Sequence, residues 1–196
     1  MTQPIFSRRQ VESFIPPGTE RVYSIAPLTF RERQAFRADL AREAGVYPGR
    51  ALLLDALRAA VQETSPDNAA EILVVIEAAE ATPDDPAAQA RLQTIEAACA
   101  TVPSYAALLA ARQHYLGMMP WVAARHALRG WEGPGLPPFR RERNLVPADL
   151  LDLLPDAELE AIGWQASALM QPDAAAQGNS EAPSPLPETP APMTVG

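Results

Sequence analysis

Between Leu128 and Leu145 the chain reads Leu-Arg-Gly-Trp-Glu-Gly-Pro-Gly-Leu-Pro-Pro-Phe-Arg-Arg-Glu-Arg-Asn-Leu, with three glycines and three prolines in eighteen positions. Glycine gives up the most backbone entropy on ordering, and proline both lacks a donor and fixes φ, so this composition argues against regular structure. The stretch nevertheless carries Trp131 and Phe139, two large apolar side chains that favour burial. It divides a long helical region from a short apolar pattern, Val146 to Met170. A loop built this way is expected to be held against a core.

Helical periodicity dominates upstream of it. Thr29-Phe30-Arg31-Glu32 is a capping box, with Thr29 at the N-cap and Glu32 reaching back to it. The helix it opens places Phe36, Leu40 and Ala44 on one face and ends near Gly45. Pro48 marks the first turn of the next, with Leu53, Leu54, Leu57 and Val61 inward. Ser65-Pro66 and Thr82-Pro83 read as N-cap plus first-turn proline. They predict a helix over 66–81, burying Ile72, Val75, Ile76 and Ala79, and one over 83–100, burying Leu92, Ile95 and Cys99. The 66–81 helix is apolar without a break from Ile72 to Ile76, so one face is available to another chain or to self-association.

From Pro103 a further stripe runs through Tyr105, Leu108, Leu109, Leu116 and Met119. Pro120 is expected to kink or restart this helix, and Trp121, Ala124 and Leu128 continue the stripe. After the glycine- and proline-rich stretch come two short helical patterns, Pro147–Leu154 and Asp156–Met170. In these Asp149, Asp152 and Asp156 face solvent, while Leu150, Leu151, Leu154, Leu159, Ile162 and Leu169 face inward.

At the N-terminal end, Gln10–Ile15 and Arg21–Ile25 read as two strands joined by Pro16-Pro17-Gly18-Thr19. A lone hairpin is marginal and must lie on something else. The expected fold is therefore mainly α: a multi-helix domain over residues 1–170 with a short N-terminal β-hairpin. Its parts are the hairpin at 10–26, helices over 29–128, a Gly/Trp/Pro loop over 129–146 and short helices over 147–170. Residues 171–196 hold six prolines, small and acidic residues and no aromatic. Such a segment buries too little surface to offset its ordering entropy, and a disordered, acidic, proline-rich tail is expected.

Charge narrows the function. All 16 basic residues are arginine, and residues 1–144 balance them with 16 acidic ones. Residues 145–196 hold 8 acidic residues and no basic one, which accounts for the whole net charge of −8. An acidic terminal segment repels nucleic acid and anionic lipid, so neither is an expected partner. The scattered arginines fit a genome that spells cationic positions as Arg better than they fit a binding patch. Met1–Phe14 has charges and no apolar run, so neither a leader nor a membrane anchor is expected.

The residues that could carry chemistry assemble into no expected site. His114 and His126 are 12 residues apart with no partner at ligand spacing, so no metal is expected and both read as partly exposed helix histidines. Cys99 lies in an apolar stripe and reads as a buried, inert thiol, which argues against a Cys–His nucleophile. Asp84-Asp85 sits in the opening turn of a helix, where negative charge suits the dipole, and Glu158/Glu160 belongs to a solvated face. Gly133-Pro134-Gly135 lacks the lysine and helix of a phosphate loop. The chain reads as a non-enzyme without a cofactor. Arg140, Arg141 and Arg143 beside Phe139 suit an acidic protein partner, or internal pairing with Asp149 and Asp152, better than a phosphate backbone. The residues expected to carry partner contact are Trp121, Trp131, Phe139, Arg140 and Arg141. Trp131 reads equally as an anchor against its own core.

One further pattern bears on function. A hairpin leads into Ala26-Pro27-Leu28-Thr29-Phe30-Arg31-Glu32-Arg33, then into several Ala/Leu-rich helices. There follow a Gly130-Trp131-Glu132-Gly133 turn, Leu136-Pro137-Pro138-Phe139, Asn144-Leu145 and a helix rich in Leu and Asp. This layout resembles the tail assembly chaperones and related small tail-gene proteins of long-tailed bacteriophages and prophages, over about residues 10–170. The resemblance implies a non-enzymatic protein of the host cytoplasm. Its partners would be the tape-measure protein and tail-tube protein, and it would be absent from the finished particle. It also implies that some such chains are made in a longer frameshifted form. The extended proline-rich terminus and the long multi-helix middle depart from the family pattern. The alternative is a neck or minor tail protein that stays in the particle.

Overall fold

The computed structural model describes residues 10–170. The elements in chain order are β1 (Glu12–Phe14), β2 (Val22–Ile25), α1 (Phe30–Ala44), α2 (Arg50–Thr64) and α3 (Ala69–Ala81). They continue with α4 (Pro86–Cys99), α5 (Pro103–Ala127), β3 (Leu128–Glu132), α6 (Ala148–Leu151) and α7 (Asp156–Ala168). The protein is mainly α-helical with a small sheet, as the periodicity predicts. The tail expected at 171–196 lies outside the described residues.

The expected hairpin is present, with β1 antiparallel to β2 and Phe14 opposite Tyr23, and a further strand joins it. The sheet has three antiparallel strands in the order β1-β2-β3, and its third strand is the start of the stretch expected to be irregular. Leu128–Glu132 pairs along β2, with Tyr23 opposite Trp131 and Ser24 opposite Gly130. The physical reason is a bulge. Ile25 pairs with Leu128 and Ser24 with Gly130, leaving Arg129 as the extra residue. Leu128 and Trp131, three apart, would face opposite sides of a regular strand. With the extra residue both are buried. Glycine within a strand often marks such a place, and the prolines begin only at Pro134, once the strand has ended. The expected loop is thus a strand followed by a turn. A two-residue hairpin at Glu142–Leu145 closes it, in which Arg143 and Asn144 both take positive φ.

Two apolar clusters account for most of the core. One joins the sheet to the C-terminal half of α5, to α6 and to α7, through Tyr23, Ile25, Leu128, Trp131, Leu151 and Ile162. The other lies among α2, α3, α4 and the start of α5, around Leu57, Val61, Ile76, Leu92 and Tyr105. Burial and the nearby Glu96 push the Tyr105 phenol up to about 12. Leu40, Ala44 and Val122 fill a small patch where α1 meets α5. In the first strand it is Phe14 that packs on the core, and Val11 and Ile15 are exposed.

Helix starts are partly displaced from the expectation. The Thr29 capping box is present as read, with the Thr29 side chain bound by the Glu32 amide at 3.1 Å and Glu32 accepting from the Thr29 amide at 2.8 Å. Ser65-Pro66 and Thr82-Pro83, however, open turns, and α3 and α4 begin three residues later. The Thr82 hydroxyl is already used, donating to Ala78 O at 2.7 Å. Asp85 caps α4 instead, accepting from the Ala87 amide at 3.0 Å, with Pro86 in the first turn. Helix α2 likewise starts at Arg50 rather than at Pro48. Pro120 does not restart α5, which runs from Pro103 to Ala127 through it. Pro120 is buried against α7, and packing holds the helix where one hydrogen bond is missing. Gly163 of α7 lies so close that a Cβ there would stand 2.2 Å from Pro120 O. No single helix among the described residues is long and apolar enough to cross a membrane.

Candidate functional site

The Gly163–Pro120 crossing brings α7 against α5 and leaves an open groove beside it, of about 570 Å³. Its apolar lining comes from Leu116, Met118 and Trp121 on α5 and Leu159 on α7. Its polar lining is Asp152, Asp156 and Glu160, all exposed. Trp121 packs partly against the core, and the Arg125 guanidinium lies 5.4 Å from its ring centre. Exposed apolar surface continues past the lining. Leu153 is 64% exposed and adjoins Asp152, while Trp164 is 42% exposed and donates from Nε1 to Glu160 Oε1 at 3.3 Å.

Of the five residues expected to contact a partner, only Trp121 lines this groove. Trp131 is 8% exposed and belongs to the core. Its Nε1 donates to Pro137 O at 2.7 Å, and its ring meets Tyr23 and Phe139 edge-on at 6.4 and 4.8 Å. Phe139 is thus spent in holding the turn onto β3. Arg140 is exposed and pairs with Asp149 at 2.7 Å and Glu142 at 3.2 Å, which is the internal pairing weighed from the sequence. Arg141 donates to His126 O at 3.3 Å and to Asn144 O. Burial and the nearby Arg129 lower its pKa from the ordinary arginine value, and its Nε has no partner among the described residues. The structure therefore gives Trp131, Phe139 and Arg141 to the fold itself.

Two readings of polar residues change. His126 was expected to be partly exposed and is 3% exposed, with Nε2 2.9 Å from Asp39 Oδ2 and Phe36 edge-on to its ring. Burial lowers its pKa below the usual imidazole value, outweighing the Asp39 hydrogen bond. His114 is exposed, as expected, and contacts Glu43 O at 3.0 Å. Glu158 was expected on a solvated face, yet it is largely buried between Tyr23 and Arg21. The Tyr23 pKa is raised, first by burial and then by its bond to Glu158. Arg21 also donates from Nε to Pro134 O at 3.0 Å. No sequence signal joins residues 137 positions apart, as Arg21 and Glu158 are.

A cleft of about 380 Å³ holds Arg31, Glu32, Asp39, His126 and Arg143, but Asp39 already pairs with Arg42 and Glu32 with Arg129. A shallower trough of about 380 Å³ separates α3 from α4, lined by Ile72, Val75 and Ile95. Val74, 63% exposed, leaves part of the apolar run of α3 uncovered. Cys99 is buried, as expected. No group of three metal-ligating side chains occurs among the described residues. Comparison with protein-family models, with curated proteins and with solved structures finds no match to this chain.

Proposed function

We propose that this protein is a binding protein without catalytic activity, and specifically a tail assembly chaperone of a long-tailed phage or prophage. The observation that carries the reading is the α5–α7 groove, an open apolar trough built around Trp121 on a helical frame. Helical partners are commonly taken up in this way, with apolar anchors at i, i+3 and i+4 laid into a groove. A tape-measure protein is long and helical, and its apolar faces need cover before the tail tube forms around it. The resemblance of the sequence layout from Ala26–Arg33 to Asn144–Leu145 supports the family reading, and the net acidity of residues 145–196 suits a protein that keeps such a partner soluble.

The test is capture of tagged chain from its native cells, paired with analysis of purified particles. Recovery of a long helical tape-measure protein, with this chain missing from finished particles, is the expected result. Retention of the chain in particles alongside neck or capsid proteins would make it a virion component instead. Capture of no viral protein would end the phage assignment.

A further inference from the structure

We propose that the α5–α7 groove recognises a basic amphipathic helix of a partner protein. Its apolar face would lie on Leu116, Met118, Trp121 and Leu159, and its Lys or Arg side chains on Asp152, Asp156 and Glu160. The proposal rests on the groove reading above and adds the chemistry of the occupant.

Charge complementarity selects that occupant. Three carboxylates line the groove and no basic residue does. Several carboxylates elsewhere in the fold are already answered. Asp39, Asp55, Glu80, Glu142, Asp149 and Glu158 each meet an arginine within the chain. Among the described residues Asp152 and Asp156 enter no such pair, and Glu160 accepts only from the neutral Trp164 indole. Pro120 brings no N–H to the Leu116 carbonyl, so the groove wall also holds a backbone acceptor without its usual helical donor. A rim of acceptors beside an indole attracts cations, since the ring face is electron-rich. Arg125 stands at that ring, supplies the local example, and leaves the carboxylates unanswered. The exposed Leu153, next to Asp152 in the chain, and the exposed Trp164, bonded to Glu160, add apolar surface beside two of the lining acids, which suits a helix several turns long better than a compact ligand.

The full chain tests this by calorimetric titration with two synthetic helices of about five turns. Both carry leucine at i, i+3, i+4 and i+7; one has arginine on the flanking positions, the other glutamate. The arginine helix is expected to bind, with an affinity that falls as salt rises, and the glutamate helix is expected not to. The exposed-residue variant D152N/D156N/E160Q should keep its fold by circular dichroism and bind the arginine helix about tenfold more weakly. Equal binding of both helices, or an unchanged affinity in the variant, would overturn the proposal. So would self-association of the free chain that the same three substitutions abolish, because the occupant would then be a second copy. If the arginine helix binds only after Arg8→Ser and Arg9→Ser, the groove belongs to the chain's own Ile5-Phe6-Ser7-Arg8-Arg9, and the partner helix is overturned. Failure of the arginine helix while a tape-measure protein is still captured from cells discards the charge rule and keeps the function. Binding without any viral partner does the reverse.

Discussion

At the scale of single residues, two glycines in contacting helices should respond to the same substitution with opposite signs. A Cβ at Gly163 meets three backbone atoms of Pro120 within 2.5 Å. Backbone cannot swing aside as a side chain can, so α5 and α7 must part. Gly163→Ala is expected to cost about 3 kcal/mol or more. Gly117, in α5, has nothing within 4 Å of its would-be Cβ. There alanine only restricts the unfolded chain and improves helix propensity, and Gly117→Ala should gain about 0.5–1 kcal/mol. Urea midpoints check both, and a Gly163→Ala midpoint equal to that of the parent would refute the close crossing. His126 gives a pH-dependent companion. Buried beside Asp39, it stays neutral in the fold to a pH below its ordinary value, whereas the unfolded chain takes up the proton near pH 6.5. Stability from this group is therefore full above about pH 6.5 and declines as pH falls from there toward the lowered folded value. Melting temperatures between about pH 7.5 and 5.5 should show that slope in the parent and lose it in His126→Asn, which is less stable throughout. A parent curve flat over that range would mean that the imidazole accepts its proton in the fold.

At the scale of elements, β3 and its turn are where sequence and structure part company. Trp131 fastens the strand to Tyr23 on one side and to Phe139 on the other, and its indole N–H is satisfied by Pro137. Trp131→Ala should cost about 3–5 kcal/mol, measured by denaturant unfolding. Arg140→Ala, at an exposed ion pair in the same stretch, should leave the unfolding curve where it is. If instead Arg140→Ala unfolded the protein and Trp131→Ala did not, the turn would be held by charge. Helix α1 was legible because capping and stripe are local, and so were the start of α5 at Pro103 and the inward leucines of α6 and α7. The third strand was not legible, since its partner lies more than a hundred residues upstream and its bulge makes glycine an asset. The displaced starts of α3 and α4 have a similar cause. Thr82 could cap the next helix or bond back to the last one, and only the packed helix decides. Among the candidate contact residues, Trp121 was legible as part of the apolar stripe of its helix, and it is half-buried at the edge of that stripe, where it lines the groove. The acids that complete its groove come from the far side of the β3 turn, so sequence pattern could give their exposure and not their neighbours.

At the scale of the whole molecule, α5 is the member common to both large clusters, with Tyr105 in one and Ala123, Ala124 and Ala127 in the other. The two ends of the molecule are not covered equally. Strand β2 is closed over by β3 and α7, and Tyr23 and Ile25 are fully buried. Helices α3 and α4 pack chiefly on each other and on α2, and they leave Val74 and the trough at Ile72, Val75 and Ile95 open. Opening that pair uncovers Ile76, Ala79, Leu92 and Cys99 while the sheet cluster stays packed, whereas opening the sheet exposes Tyr23, Ile25, Leu128 and Trp131. Native-state hydrogen exchange should therefore report two levels, with amides of 69–99 exchanging through a sub-global opening of lower free energy than those of 22–25 and 122–132. Uniform protection would mean that α5 couples the clusters into one cooperative unit. The same measurement with a bound partner locates the contact. Slowing at 152–164 with 69–99 unchanged assigns binding to the α5–α7 groove, while slowing at 69–99 assigns it to the α3–α4 trough. The distinction has a physical consequence, because a partner in the groove braces the better-packed cluster, whereas one in the trough stabilises the part of the fold that opens first.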